Sequence, residues 1–169
     1  DMDISNNNDL IIAIKNALIQ LEEMRDSEGR KILKDIINRI RLIRNYLLEI
    51  KNLTKRLSKD KFVELSENIE NIIGSNKIDE DRLLQEVAFL IERSDITEEI
   101  VRAGIHLDKF IEYTNIKDPV GKRLNFLIQE IYREINTIGS KSPQAEVTSN
   151  VVEIKHELEK VREQIQNIL

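Results

Sequence analysis

Apolar residues recur three and four positions apart along almost the whole chain, and this spacing is the feature that most constrains the fold. It places the apolar side chains on one face of a helix, whereas a half-buried strand needs strict alternation. Only five Gly and two Pro interrupt the pattern, and 34% of the residues are charged, a composition typical of long amphipathic helices. The sequence therefore predicts an all-α fold: a long helical hairpin or coiled-coil arm, plus a helical bundle with a coiled-coil-like C-terminal helix.

Turn signals divide this pattern into segments. The polar residues 1–8 are predicted to be disordered or a linker, and residues 9–76 to form a helical arm. Within the arm we expect two long helices that meet near Gly29, unless the first passes through it, and a shorter one capped by Ser58. Residues 77–169 form the predicted C-terminal helical domain, whose last helix carries apolar residues at heptad spacing.

The composition excludes several classes of function. With no Cys, the chain has no disulfide, no thiolate nucleophile and no thiolate-bound metal. No apolar run approaches the roughly 18 residues that a membrane-spanning helix requires. We therefore expect a cytoplasmic protein without a membrane partner.

Charge is distributed unevenly along the chain. The stretch from Arg25 to Lys61 has 12 Lys or Arg against 5 Asp or Glu, whereas Phe62 to Val101 has 3 against 11. A local basic surface is thus available for phosphates although the net charge is -5. A solvated helix face is the alternative interpretation of the basic stretch.

The predicted helix over residues 120–138 carries a polar face as well as an apolar one. Its polar residues recur three or four positions apart, a spacing more typical of a packed face. Beside them, Glu130 and Glu134 lie one turn apart, close enough to share a divalent cation or to alter each other's protonation. A solvent-facing stripe is the alternative. The residues of this polar seam are Lys122, Asn125, Gln129, Arg133, Asn136 and Ser140.

A second cluster, on the predicted helix that begins near Thr97, combines an acid, a permanent cation and an imidazole on one face. The imidazole would take a proton from a 2′-hydroxyl or from water, the cation would balance charge on a phosphorane, and the acid would orient the imidazole. The alternative is ordinary intrahelical ion pairing beside a surface His. The residues of this cluster are Glu98 or Glu99, Arg102 and His106.

A turn is predicted after this polar helix, at Gly139-Ser140-Lys141-Ser142. It leads into the N-terminus of the last helix, where free amides, hydroxyls and the Lys141 ammonium would hold a phosphate. A helix C-cap followed by an N-cap is the alternative.

Four segments of the chain form a distinctive set, and together they span nearly the whole chain. They are MRDSEG (Met24 to Gly29), RLLQEVAFLIERSDITEEIVRAGIHLDKF (Arg82 to Phe110), PVGKRLNFLIQEIYREINTIGSKS (Pro119 to Ser142) and VVEIKHELEKVREQIQNI (Val151 to Ile168). These segments resemble one family, the YicC-like endoribonucleases, and the third segment is the most specific of them. One departure is Asn125, where the family pattern usually has Asp, and another is the absence of the family's N-terminal α/β region.

The resemblance implies a homo-oligomeric ring, reported for the family as a hexamer, that encloses RNA and cleaves its backbone with a divalent metal, Mg or Mn. On this hypothesis the basic arm attracts phosphates and the polar seam faces the RNA. The metal-ligand candidates are Glu130 and Glu134, with Glu98 or Glu99 as possible additions. The expected phosphate and RNA contacts are Arg102, Lys122, Gln129, Arg133, Asn136, Ser140 and Lys141.

Three alternatives to metal-assisted cleavage stay open at the level of sequence. In the first, His106 acts as general base on the ribose 2′-hydroxyl, which leaves a cyclic phosphate and spares DNA. In the second, the helices form an RNA-binding and oligomerisation adaptor without catalysis. In the third, the polar faces are merely solvated and the helices only assemble the protein.

Overall fold

The computed structural model of the protein describes residues 7–73, 85, 88, 89, 92–116 and 119–168. Four helices contain most of these residues, and no strand occurs among them, which confirms the predicted all-α class. No helix in this part of the chain has both the length and the apolar character needed to cross a membrane. The helices are α1 (Asn7–Ile73), α2 (Thr97–Thr114), α3 (Gly121–Lys141) and α4 (Ala145–Ile168).

The first helix, α1, is continuous over 67 residues, so it passes through Gly29, which was one of the two predicted alternatives. The other alternative, a hairpin of two helices, and the separate third helix are not formed. At Gly29 the φ angle is not positive, and no atom lies within 4 Å of the position that a Cβ would occupy. Nothing there requires a turn, and one Gly costs a helix only about 1 kcal/mol relative to Ala. The backbone also continues as helix through Ser58.

Two predictions about segment boundaries lie outside the described residues. One is the division between arm and C-terminal domain at residues 76 and 77, and the other is the predicted linker over residues 1–6. Residues 7 and 8 belong to α1. The division into two domains therefore stays a prediction.

The four helices share one apolar core. The α1 helix packs mainly against α4, α2 packs mainly against α3, and α3 also contacts α4. Among the described side chains of α1, the buried ones lie in its middle, at five positions spaced four and three apart, and Ile32, Tyr46 and Leu53 pack beside them partly buried. The heptad seam predicted for the last helix is buried throughout its described length. The buried residues of these two helices are Ile36, Ile40, Ile43, Leu47 and Ile50 in α1, and Val147, Val151, Ile154, Leu158, Val161 and Ile165 in α4.

The N-terminal part of α1 leaves large apolar side chains uncovered. Leu18 is 53% exposed. It lies on the same face of the helix as the buried Ile36, because the 18 residues that separate them make about five helical turns. The face that enters the core further along the helix is thus without a cover here among the described residues. The exposed apolar residues of this uncovered segment are Leu10, Ile11, Ile12, Ile14, Leu18, Ile19, Leu21 and Met24.

The close approach of α3 to α4 depends on Gly139. The sequence predicted that this Gly ends the helix, but α3 continues through it to Lys141. A Cβ at Gly139 would lie 3.2 Å from Cγ1 of Val151, which is closer than ordinary van der Waals contact. The role of this Gly is therefore to let two helices approach, and the predicted loop over residues 139–142 is shortened to the residues that follow Lys141.

A network of charged side chains joins α1 to α4 beside the core. Arg39 donates to Oδ2 of Asp35 at 2.8 Å and to Oε2 of Glu157 at 2.7 Å. Hydrogen bonds from Gln164 and Arg39 lower the pKa of Asp35. Burial alone would raise the pKa of Glu157, but hydrogen bonds from Lys160 and Arg39 outweigh it and lower that pKa.

Removing the Arg39 guanidinium should destabilise the fold and reduce its sensitivity to acid. We expect Arg39→Met to lower the free energy of unfolding at pH 7 by about 1.5 kcal/mol, because Glu157 is nearly buried and loses a charged donor. Since the folded-state pKa values of Asp35 and Glu157 are depressed, their stabilisation is present above about pH 5 and disappears as the pH falls through those values.

Urea denaturation at pH 7 and at pH 4 measures both effects. Arg41→Met is the matched control, because Arg41 is exposed on the same helix and makes no ion pair within the described residues. It should change stability by less than about 0.5 kcal/mol. Equal effects of the two substitutions would contradict a stabilising role for the network.

Candidate functional site

The α2 and α3 helices form an open cleft of about 370 Å³ at their shared surface. This volume lies within the range of about 300–1,000 Å³ that is usual for ligand sites. The described residues that line this cationic cleft are His106, Lys109 and Tyr113 from α2, and Lys122, Arg123, Phe126 and Leu127 from α3.

Helix periodicity explains why these residues meet. In α2, His106, Lys109 and Tyr113 recur three and four positions apart along one edge of the stripe that buries Leu107. In α3, Phe126 directly precedes the buried Leu127. Because α2 packs on α3, the two edges lie side by side and leave a cleft between them.

The cleft is strongly cationic. Lys109 and Lys122 are exposed and make no ion pair within the described residues, and no described carboxylate lines the cleft. The neighbouring Asp108 accepts a hydrogen bond from Arg44 of α1, so its charge is already paired outside the cleft. An anion in the cleft would therefore meet ammonium groups that no described carboxylate neutralises.

Aromatic rings accompany these cations. The Arg123 guanidinium carbon lies 5.7 Å from the centroid of the Tyr113 ring, a cation–π arrangement. Phe126 is 59% exposed, which is unusual for so large an apolar side chain. Cations beside exposed rings are the combination that binds a phosphate and stacks a base in single-stranded nucleic acids.

His106 lies in the cationic cleft, but its predicted acid–cation–imidazole cluster is not assembled. Its Nδ1 atom is buried and has no hydrogen-bond partner, so within the described residues no carboxylate orients the ring. Arg102 pairs instead with Glu98 at 2.5 Å, and its other terminal nitrogen lies 4.0 Å from Glu134. Four-residue spacing brought Glu98 to Arg102, but it did not bring a carboxylate to the imidazole.

Glu99 and Lys141 form a separate contact between the start of α2 and the end of α3. The Lys141 ammonium donates to Oε1 of Glu99 at 2.7 Å and to the Asp95 carbonyl at 3.2 Å. The hydrogen bond with Glu99 raises the pKa of Lys141. Glu99 is only 7% exposed. In the described structure Lys141 therefore joins two helices, which leaves it less available for the phosphate contact predicted from the sequence.

A second cleft, of about 520 Å³, lies between α3 and α4 and is lined by three of the six residues of the polar seam. Lys122 alone of the seam lines the cationic cleft, while Ser140 is exposed and donates to the Thr137 carbonyl at 2.9 Å. Asn125 is half-buried and lines neither cleft. This amide cleft is lined by Ile128, Gln129, Tyr132, Arg133, Asn136 and Thr137 from α3, and by Glu159 and Arg162 from α4.

The predicted metal ligands do not gather into a site made by this part of the chain. Glu130 is half-buried and Glu134 is 7% exposed, and nowhere in the described ranges do three or more His, Asp or Glu residues come together. A permanent cation, Arg102, already lies beside Glu134. The described residues thus supply only this pair of carboxylates. Because Mg²⁺ is commonly held by one or two carboxylates together with water and phosphate oxygens, metal binding by the pair stays a prediction.

Part of the predicted basic arm is committed to the fold. Arg39 pairs with Asp35 and Glu157, and Arg44 with Asp108. Other basic residues of α1, including Arg41 and Lys51, are exposed. Attraction of phosphates by this helix stays a prediction.

Sequence reasoning missed four residues of the cationic cleft. Each of them lies at the edge of the apolar stripe of its helix, which is only a weak sequence signal for a binding residue. The two edges form a cleft only because α2 packs against α3. The missed residues are Lys109, Tyr113, Arg123 and Phe126.

The described structure is thus a helical bundle with one cleft lined by cations and aromatic rings and a second lined by carboxamides. Residues 50–169 match the family described as "Endoribonuclease YicC-like, C-terminal". The chain belongs to this family, which confirms the resemblance drawn from the four segments.

Two curated relatives support this assignment, and both are named "Probable endoribonuclease YicC". The one from Clostridioides difficile is 45% identical over 157 residues, which cover 92% of this chain and 54% of the relative. The one from Haemophilus influenzae is 31% identical over 160 residues, which cover 95% of this chain and 55% of the relative. The chain thus spans about half the length of the curated relatives it matches.

Proposed function

We propose that the protein cleaves RNA phosphodiester bonds and that the cationic cleft between α2 and α3 holds the RNA backbone. The observation that carries the proposal is the pair of unpaired cations, Lys109 and Lys122, beside the exposed ring of Phe126 and the half-buried ring of Tyr113, with no described carboxylate lining the cleft. The relatives' names point to the same substrate class. A phosphate placed between the two ammonium groups leaves its ribose and base near Phe126 and Tyr113.

His106 is the proposed proton acceptor. It lines the same cleft as the two Lys residues, and imidazole is the side chain best suited to proton transfer near neutral pH. The 2′-hydroxyl oxygen attacks the adjacent phosphorus and its proton passes to His106. The bond from phosphorus to the 5′-oxygen breaks, that oxygen takes a proton from water, and the products end in a 2′,3′-cyclic phosphate and a 5′-hydroxyl. Lys109 and Lys122 stabilise the charge on the phosphorane.

Divalent-metal assistance is not part of this step. Glu130 and Glu134 supply two carboxylates, one of them beside Arg102, and the described residues add no third ligand. A metal-assisted route stays a prediction, and cleavage in magnesium or manganese compared with EDTA distinguishes it from the route through His106.

We also propose that the protein is a homo-oligomer, as the family resemblance implies, and that the uncovered segment of α1 contributes to its assembly. The support is the run of large apolar side chains that continues the face of the core without a described cover. Monomeric proteins rarely expose a contiguous apolar surface of this kind. The number of subunits in the ring, and a location in the cytoplasm, stay predictions.

Salt dependence tests the cationic cleft. We expect Lys109→Gln and Lys122→Gln each to weaken binding of a single-stranded RNA and to reduce the slope of log affinity against log salt by about 0.7, because one phosphate contact is lost. Fluorescence anisotropy over a range of salt concentrations measures this slope. Lys15→Gln removes the same charge from an exposed position on α1, outside both clefts, and should leave the slope unchanged.

Product ends test the role of His106. The chain alone, and the chain joined to the N-terminal region that the family pattern includes, would be incubated with labelled RNA, with magnesium or manganese or with excess EDTA. We expect cleavage in EDTA, 2′,3′-cyclic phosphate ends, no cleavage of DNA, and a loss of at least about 100-fold in rate for His106→Ala with RNA binding retained.

Two other outcomes would replace this proposal. Cleavage that needs metal, leaves 5′-phosphate ends and is lost on Glu130→Ala would establish the metal-assisted route. Binding without cleavage by both forms would leave the RNA-binding adaptor.

Sedimentation tests the proposed assembly. We expect Leu18→Glu with Leu21→Glu to reduce the mass of the assembled protein, because a charge on an apolar interface must be desolvated on association. Analytical ultracentrifugation measures this mass. Glu22→Gln with Glu23→Gln alters charge in the same segment without adding charge to the apolar face, and should preserve the assembly. Unchanged mass in the Leu variant would remove this segment from the interface.

A further inference from the structure

The amide cleft between α3 and α4 differs in chemistry from the cationic cleft. Gln129 and Asn136 lie two turns apart on α3, are exposed, and both line this cleft. Neither side chain makes a hydrogen bond with another described residue. Each carboxamide therefore offers donors and an acceptor to a ligand.

An aromatic ring and a cation lie between these two amides. Tyr132 lines the cleft, and the Lys155 ammonium of α4 lies 5.8 Å from the centroid of its ring. Arg133 is exposed and has no ion pair within the part of the chain that is described. On the opposite wall, Arg162 lies 3.5 Å from Glu159, in an exposed pair that solvent weakens.

The two clefts flank the same exposed edge of α3. The cationic cleft begins at Lys122, and the amide cleft reaches Asn136, 14 residues further along the helix. At about 1.5 Å per residue this distance is roughly 21 Å. About six stacked nucleotides at roughly 3.4 Å each would cover it, so one strand can reach both clefts.

We propose that the amide cleft is a base-reading subsite of the same RNA strand and that it takes an adenine. This inference rests on the proposed RNA-binding function. A carboxamide is complementary to a base edge on which an amino donor lies beside a ring-nitrogen acceptor. Adenine presents two such edges, N6 with N1 and N6 with N7, whereas cytosine presents one, N4 with N3, so a cleft with two carboxamides favours adenine. Tyr132 offers a ring beside the base, and Arg133 holds the adjoining phosphate.

The cationic cleft cannot supply this selectivity. Its described lining residues supply cations, rings, an imidazole and an apolar side chain, and none of them is a carboxamide. Phosphates and ring faces are common to every nucleotide, so contacts of this kind do not distinguish one base from another. The cationic cleft binds the RNA backbone whatever its sequence, and Gln129 with Asn136 determines which base of the strand occupies the amide cleft.

Binding of four 12-nucleotide homopolymers, oligo-A, oligo-C, oligo-G and oligo-U, tests the assignment at one fixed salt concentration. We expect the wild-type chain to bind oligo-A about tenfold more tightly than oligo-U or oligo-C, as one bidentate amide contact would give. In the variant with Gln129→Leu and Asn136→Leu this difference should fall below about twofold, while affinity for oligo-U is retained. Circular dichroism would confirm that both variants at these exposed positions are folded.

Lys109→Gln with Lys122→Gln is the matched control for the other cleft. It should weaken all four homopolymers by a similar factor and keep the preference for oligo-A. Equal wild-type affinities, a preference for another base, or a preference that survives the double Leu substitution would overturn the adenine subsite. If instead the double Gln substitution had no effect on any homopolymer, the cationic cleft would be wrong as the binding site for the backbone.

Discussion

Burial of α3 on two sides is the constraint on which the rest of the structure depends. Leu127 lies on the flank that meets α2, and Ile128, the next residue, lies on the flank that meets α4. With both flanks packed, only a narrow edge of α3 reaches solvent. Most polar side chains of that helix therefore lie on this edge or line the two clefts beside it, whereas Glu134 is nearly buried beside Arg102. The close contact of Gly139 with Val151 fixes the distance to α4, so a bulkier residue there would alter the amide cleft as well as the core.

The charge of the whole chain is a poor guide to the ligand that its surface can bind. The net charge is -5, yet several carboxylates are held close to cations: Glu157 by Arg39 and Lys160, Glu99 by Lys141, and Asp108 by Arg44. In these pairs the carboxylate charge is already balanced by a cation, whereas Lys109, Lys122 and Arg133 have no paired carboxylate among the described residues. Local electrostatics follow from which ions are paired, and net composition does not record that pairing.

Sequence predicted the class of fold well, because apolar spacing determines which face of each helix is buried. The heptad positions of the last helix and the polar seam of α3 were recognised in this way. Gly139 was interpreted as the end of a helix, and Gly29 as either an end or a position that the helix passes through, since a sequence cannot distinguish a Gly that permits a turn from one that a helix tolerates or needs for close packing. The cationic cleft was only half recognised: His106 and Lys122 were predicted, but their neighbours became visible only when α2 was placed against α3. The prediction of a carboxylate beside His106 was wrong for a related reason. Glu98 pairs with Arg102 and Glu99 pairs with Lys141, so neither carboxylate contacts the imidazole.

The length of α1 has a mechanical consequence. At about 1.5 Å per residue its 67 residues measure about 100 Å, and among its described side chains the buried ones run from Ile36 to Ile50, over about 21 Å of that length. About 43 Å of helix precedes Ile36. A rotation of α1 by about 10° at the bundle would move its N-terminus by about 7 Å, and the same geometry acts in reverse. The helix thus acts as a lever whose buried section packs against α4. Because α4 forms one wall of the amide cleft, a displacement of the N-terminal end of α1 would shift that wall.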